Sequence, residues 1–182
     1  MTHDKGSSAD LIRRAREFAV NAHSRIDHRR KYKGLPYATH LENVAALVES
    51  VTDDVETIAA AWLHDVVEDT PATVENIEDA FGKHVASLVE SLTDVSRPGS
   101  GNRAFRKETD RQHTAKASGR AKTVKLADLI DNCQDIFNND KRFARVYLKE
   151  MAKLLEVLQG GTQSSTARQS GSMMNAPADL VR

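Results

Sequence analysis

Along this chain apolar residues return at steps of three and four, the period of an amphipathic helix, in seven separate segments. The first stripe is Leu11, Ile12, Ala15, Phe18, Ala19, Ala22 and Ile26, with Asp10 placed to cap it. Leu41, Val44, Ala45 and Val48 form the second, opened by Thr39 and Glu42 as a capping box. The third is Val55, Ile58, Ala59, Trp62, Leu63 and Val66; Asp53 with Glu56 opens it, and Thr70-Pro71 closes it. A short helix follows over about 74–81, ended by Gly82, and the next carries Val85, Leu88, Val89 and Leu92. Leu126, Leu129, Ile130, Cys133 and Phe137 predict a helix over about 120–137. Phe143, Val146, Tyr147, Met151, Leu154 and Leu158 predict the last, over 142–159, stopping at Gly160-Gly161. No segment alternates with a period of two, so the expected fold is an all-α bundle, one domain over 10–160.

Where the stripes lapse, other expectations arise. Residues 1–9 read as a flexible lead, and 161–182, small, polar and aperiodic, as a disordered tail. HRRKYKGL, residues 28–35, is a basic run ending in glycine and then proline, which reads as a loop. DVSRPGSGNRAFRKETDR, residues 94–111, loses the apolar period and reads as a mobile loop, either solvated or a cationic lid over substrate.

Charge narrows the function classes. Lys plus Arg is 26 and Asp plus Glu is 26, which argues against a general nucleic-acid or membrane-surface binder. No stretch approaches the roughly 18 consecutive apolar residues of a membrane span. One cysteine, Cys133, excludes an internal disulfide and fits a reducing compartment, so a cytoplasmic protein is expected. Oligomeric state is not legible.

The chemistry-bearing stretch is WLHDVVEDT, residues 62–70. If one helix runs through it, His64 lies under Glu68 and Asp65 under Asp69, because residues four apart share a face. His40 opens its own helix, where a histidine is ordinarily a solvent-facing bystander. On the 120–137 helix Asp128, Asn132 and Asp135 recur at steps of four and three, with Asp131 beside them, and could be a wet surface or a ligand surface. Two imidazoles with two carboxylates make a mixed nitrogen and oxygen donor set, suited to a divalent ion of intermediate hardness such as manganese. Such an ion would acidify water and polarise a phosphoryl oxygen, the chemistry of a hydrolase.

The order His40, His64-Asp65, Asp128 resembles the HD-domain metal-dependent phosphohydrolases. The words PYATH, AAAWLHDVVEDT, FG at 81–82, LTD ending at Asp94, and KTVKLADLIDN are similar to the hydrolase domain of RelA/SpoT-type proteins. At 182 residues the chain is similar to the single-domain small alarmone hydrolases, with the resemblance covering roughly 11–160. The resemblance implies an HD-domain helical bundle that hydrolyses the 3′-pyrophosphate of guanosine tetra- or pentaphosphate with Mn²⁺. It implies His40, His64, Asp65 and Asp128 as metal ligands and Glu68 with Asp69 as the pair working the attacking water. Asn132, Tyr147 and the basic Arg29, Arg30 and Lys31 would contact the nucleotide. The chain departs from the pattern at Leu41, where the family has proline; at SRIDH after His23; and at Asp131, where it has an aromatic or basic residue. A carboxylate at 131 is unfavourable beside a polyphosphate unless it pairs with a cation. An HD phosphohydrolase for another nucleotide and a non-catalytic nucleotide sensor are the alternatives.

Overall fold

A computed structural model describes residues 5–159, which form nine α-helices. They are α1 (Lys5–Arg25), α2 (Ala38–Glu49), α3 (Val55–Leu63), α4 (Val66–Asp69), α5 (Val74–Phe81), α6 (Lys83–Leu92), α7 (Arg103–Ala115), α8 (Gly119–Asn139) and α9 (Lys141–Leu158). The expected tail, 161–182, and the first residues of the expected lead lie outside the described residues. From Lys5 onward that lead is helical, so Asp10 lies inside α1, where it bonds Arg13, rather than capping it.

The bundle is arranged around α3, which packs against α1, α2, α6 and α8. Every residue from Thr57 to Leu63 is buried, so α3 is enclosed on all sides rather than on one stripe. The run Ala59-Ala60-Ala61 explains this, because methyl side chains let neighbouring helices approach closely. Leu41, Val44, Val48, Leu63, Val66, Ile77, Val85 and Val89 fill the remaining core. Fully burying each aliphatic side chain of this size contributes about 1.5–3 kcal/mol before chain entropy is charged against it.

Several helix starts differ from expectation by one residue or more. Asp54, not Asp53, caps α3, accepting from the Thr57 amide, and Arg120 bridges Asp54 to Glu56. In α2 no side chain caps the start: Tyr37 is the N-cap residue and Thr39 lies inside the helix. The expected capping box occurs instead at α5, between Thr73 and Asn76. Gly82, at φ 85°, joins α5 to α6 in a conformation L side chains rarely adopt.

The largest difference is at 94–111. Only its first part is loop; from Arg103 the chain is helical, and α7 packs on α9. The residues that α7 buries are Asp110 and Thr114, both polar, so no apolar period marks the helix. Asp110 accepts from the Ser96 amide and hydroxyl, 2.8 Å each, and so ties the preceding loop to the helix. Among the described residues no helix is long and apolar enough to cross a membrane.

Candidate metal centre

The stretch 62–70 is not one helix. The backbone turns at His64-Asp65, with Asp65 at φ −100° and ψ −1°, and restarts as α4. In an unbroken helix the two side chains would diverge by about 100°. At this break they converge, His64 Nε2 and Asp65 Oδ2 standing 3.0 Å apart.

His40, expected as a solvent-facing bystander from its place at a helix start, is 1% exposed. Its Nδ1–H donates to Asp131 Oδ2 at 2.6 Å, and the Nδ1–H of His64 donates to the Ala61 carbonyl at 2.8 Å. Both protons being committed there, the nitrogens left facing the site are the two Nε2 atoms, 3.3 Å from each other. His40 Nε2 lies 3.5 Å from Asp65 Oδ2 and 3.3 Å from Asp128 Oδ1; His64 Nε2 lies 3.8 Å from the same Asp128 oxygen. Two imidazoles and two carboxylates thus surround one point from α2, α8 and the break between α3 and α4.

Such a cluster requires positive charge at its centre. With protons alone to supply it, burial opposes charging the imidazoles, but Asp128, Asp131 and Asp65 outweigh burial and push His40 up to about 11. His64 is pushed to about 9, again against burial, chiefly by Asp65 and Asp128. Burial also opposes ionisation of Asp65, yet His64 and His40 hold it well below the usual carboxylate range. A divalent cation satisfies the same four groups without protons, and imidazoles whose second nitrogen is fixed by a carboxylate or carbonyl are the usual form of metal-ligating histidine. The donor set fits a metal.

Glu68 and Asp69 follow on α4 and line a cleft of about 420 Å³ beside the cluster. The surrounding walls strip water from both: burial first, then Asp94 and Asp65, push Glu68 up to about 7, and burial with Asp65 pushes Asp69 to about 6. The Asp94 amide donates to Glu68 at 3.2 Å. Asn132 and Tyr147, both expected near substrate, also line the cleft, and Asn132 donates to Asp128 at 2.5 Å.

The basic run stands elsewhere. None of Arg29, Arg30 and Lys31 lines the cleft. Arg29 pairs with Asp27 and the Gly34 carbonyl, and Lys31 lies over the rings of Tyr32 and Phe143. The cleft's cations are instead Lys107 and Arg111 of α7, Lys125 of α8 and Lys153 of α9. Two of these lie in or near the stretch read as loop. Lys125 could have been found, since it precedes Asp128 by three residues and pairs with it at 3.3 Å. Tyr37, whose hydroxyl donates to Asp65 at 2.6 Å, carried no sequence signal beyond its place before His40.

A second histidine group adjoins the first: His23 and His28 face each other through Nδ1 at 2.9 Å, with Asp69 at 3.9 Å from His28. The Nε2 of His23 is buried without a partner. A bare lone pair there costs less than an orphaned N–H, so His23 keeps its proton on Nδ1 and donates it to His28. A cation taking both Nδ1 atoms would move that proton to the orphan position, which disfavours a second metal.

A family model described as HD domain matches residues 15–155. A guanosine-3′,5′-bis(diphosphate) 3′-pyrophosphohydrolase of Drosophila melanogaster is 39% identical over 122 residues, 66% of each chain. The mouse protein of the same name is 33% identical over 166 residues, 87% of this chain and 90% of its own. A solved structure described as a metazoan ortholog of SpoT that hydrolyses ppGpp superposes with a TM-score of 0.73 at 34% identity, covering 83% of this chain and 86% of that one. The helical architecture, the cluster at His40, His64-Asp65 and Asp128, and these matches agree: the chain belongs to the HD-domain family.

Proposed function

We propose that the chain hydrolyses the 3′-pyrophosphate of guanosine tetra- or pentaphosphate, releasing pyrophosphate and leaving GDP or GTP. The observation that carries this reading is that Asp65 and Asp128, which stand against His40 and His64, also line a cleft that holds Glu68, Asp69 and four cations. The names of the relatives supply the nucleotide, and Lys107, Arg111, Lys125 and Lys153 are the cations the cleft lining offers to its phosphates. Mixed nitrogen and oxygen donors without a thiolate favour Mn²⁺ as the ion. Cys133 is the chain's one cysteine, which fits a reducing, cytoplasmic setting.

In the reaction, water's oxygen bonds to the phosphorus attached to the 3′-oxygen, that P–O bond breaks, and the 3′-oxygen takes up a proton. When bound, the cation supplies a Lewis acid that polarises a phosphoryl oxygen and acidifies water. Glu68, raised to about 7 by burial, Asp94 and Asp65 before any cation is bound, is placed to receive the water's proton, while Asp69 orients the same water. Lys125 stays charged despite burial because Asp128 and Asp94 surround it, and so reaches the phosphates as a cation. Asn132 and Tyr147 provide neutral contacts to the nucleotide. Pyrophosphate release from guanosine tetraphosphate, assayed with and without Mn²⁺, tests the reading; a metal-loaded protein that turns over no guanosine polyphosphate refutes it.

The acid side of the pH profile reports Glu68. A base must be deprotonated to act, so kcat/KM declines as pH falls through the Glu68 pKa. Asp94 raises that pKa by like charge, while its amide donates to Glu68. Asp94→Asn removes the charge and keeps the amide, so the acid limb should move to lower pH at saturating metal. An unmoved limb would assign it to another group.

A further inference from the structure

Arg30 belongs to the basic run and was expected to touch substrate, but its side chain turns inward and is 10% exposed. Its guanidinium meets Asp131 Oδ2 at 2.9 Å, Asp135 Oδ2 at 3.0 Å and Asn132 Oδ1 at 3.5 Å. Two of these partners lead to the metal cluster. Asp131 Oδ2 accepts from His40 Nδ1 at 2.6 Å, with its other oxygen held by Asn43 at 2.7 Å. Asn132 donates to Asp128 Oδ1 at 2.5 Å. One cation therefore touches the residue behind His40 on α2 and the residue behind Asp128 on α8.

We infer that Arg30 is a positioning residue for the metal centre, acting through Asp131 on His40 and through Asn132 on Asp128. The inference rests on the metal-dependent reading of the cluster. Asp131 is 6% exposed, and a buried carboxylate without a cation would be costly to keep ionised. Ionised, it holds His40 with its proton on Nδ1 and its Nε2 lone pair free for the ion. Arg30 supplies the neutralising charge from the side away from the cleft. Its planar fork also reaches two carboxylates at once, which an ammonium group cannot do with fixed geometry. This resolves the unfavourable feature noted for a carboxylate at 131: its charge is already spent on Arg30 and His40, not presented to a polyphosphate. The basic loop 28–35 becomes a strap whose middle residue braces the metal site. Its fold supports that placement, since the Arg30 amide donates to the Leu35 carbonyl at 2.8 Å and the Gly34 amide returns to Arg30 at 3.0 Å.

The test is a calorimetric Mn²⁺ titration of metal-free wild type, Arg30→Ala, Arg30→Lys, Asp131→Asn and the Arg30→Ala/Asp131→Asn double variant. Loss of such supporting contacts typically weakens metal binding about 10–100-fold, and that loss is expected for both Arg30→Ala and Asp131→Asn. Arg30→Lys should recover only part, and the double variant should fall short of the sum of the singles because both act on His40. Steady-state kinetics at saturating Mn²⁺ should then show that any rise in KM for guanosine tetraphosphate in Arg30→Ala, passed on through Asn132, is small beside the loss of metal affinity. Wild-type metal affinity with a raised KM would overturn the inference and make Arg30 a nucleotide contact. Far-UV circular dichroism accompanies each titration; if Arg30→Ala unfolds, Arg30→Lys carries the comparison, and wild-type affinity there with a raised KM is equally fatal. Weakened metal binding without turnover of any guanosine nucleotide would sustain the inference while refuting the proposed substrate.

Discussion

Glu68→Gln should keep metal affinity at the wild-type level and lose about 10²–10⁴-fold of turnover, the range general-base catalysis commonly contributes. The change is nearly isosteric, so the contact from the Asp94 amide survives on the remaining carbonyl oxygen. What disappears is the capacity to take a proton. Glu68 is suited to that work because the walls of the cleft, with Asp94 and Asp65 nearby, raise it to about 7. A carboxylate at its ordinary value would be a weaker base at neutral pH. Its place on α4, one turn beyond Asp65, puts it beside the cluster without making it a member. Mn²⁺ titration and single-turnover kinetics on the same sample separate the roles. If metal affinity fell as steeply as turnover, Glu68 would have to be counted among the ligands.

The fold was largely legible because the core helices advertise themselves. In α2 and α6 the apolar period matches the buried face residue for residue; in α8 and α9 it places the helix within a few residues but not its buried side, since Phe137 and Val146 are exposed while Ala121, Val124, Ala127 and Ala144 are buried. It failed at α7, whose buried side chains are Asp110 and Thr114, because periodicity sees hydrophobicity rather than burial. It also ran α3 into α4, since Val66 continues the apolar step across a break that only the backbone reveals. That break is what lets adjacent His64 and Asp65 face one point, so the irregularity lies where the chemistry needs it.

His40, His64 and Asp65 stand close enough to hold an ion, with Asp128 Oδ1 3.3 Å from His40 Nε2, and Asn132, Tyr147, Glu68 and Asp69 line one cleft. The cationic side was misplaced for a physical reason. A sequence shows where charge is, not how it is spent: Arg29 goes to Asp27, Lys31 to two aromatic rings, and Arg30 to Asp131 with Asp135. The cations lining the cleft come from three helices: Lys107 and Arg111 lie in the 94–111 stretch read as a possible cationic lid, Lys125 stands three residues before Asp128, and Lys153 had no local motif to mark it.

Asp65→Ala should abolish both metal binding and hydrolysis. Asp65 Oδ2 ties the cluster together: it accepts from the Tyr37 hydroxyl at 2.6 Å and stands 3.0 Å and 3.5 Å from the Nε2 atoms of His64 and His40. Removing it leaves two imidazoles with Asp128 alone, and it halves the negative charge that draws a divalent cation into a buried site. The Tyr37 hydroxyl loses its acceptor as well, a deficit of about 1–3 kcal/mol for a buried polar group. Asp65→Ala should therefore also lower the thermal midpoint of the metal-free protein, and Asp65→Asn separates the two effects. The amide can still accept from Tyr37, so stability should largely return, while the missing charge should keep metal affinity low and turnover absent. Calorimetric Mn²⁺ titration of both variants, alongside their melting curves, distinguishes the outcomes. Near-wild-type Mn²⁺ binding in Asp65→Ala would remove Asp65 from the ligand set and, with it, the reason for the break between α3 and α4.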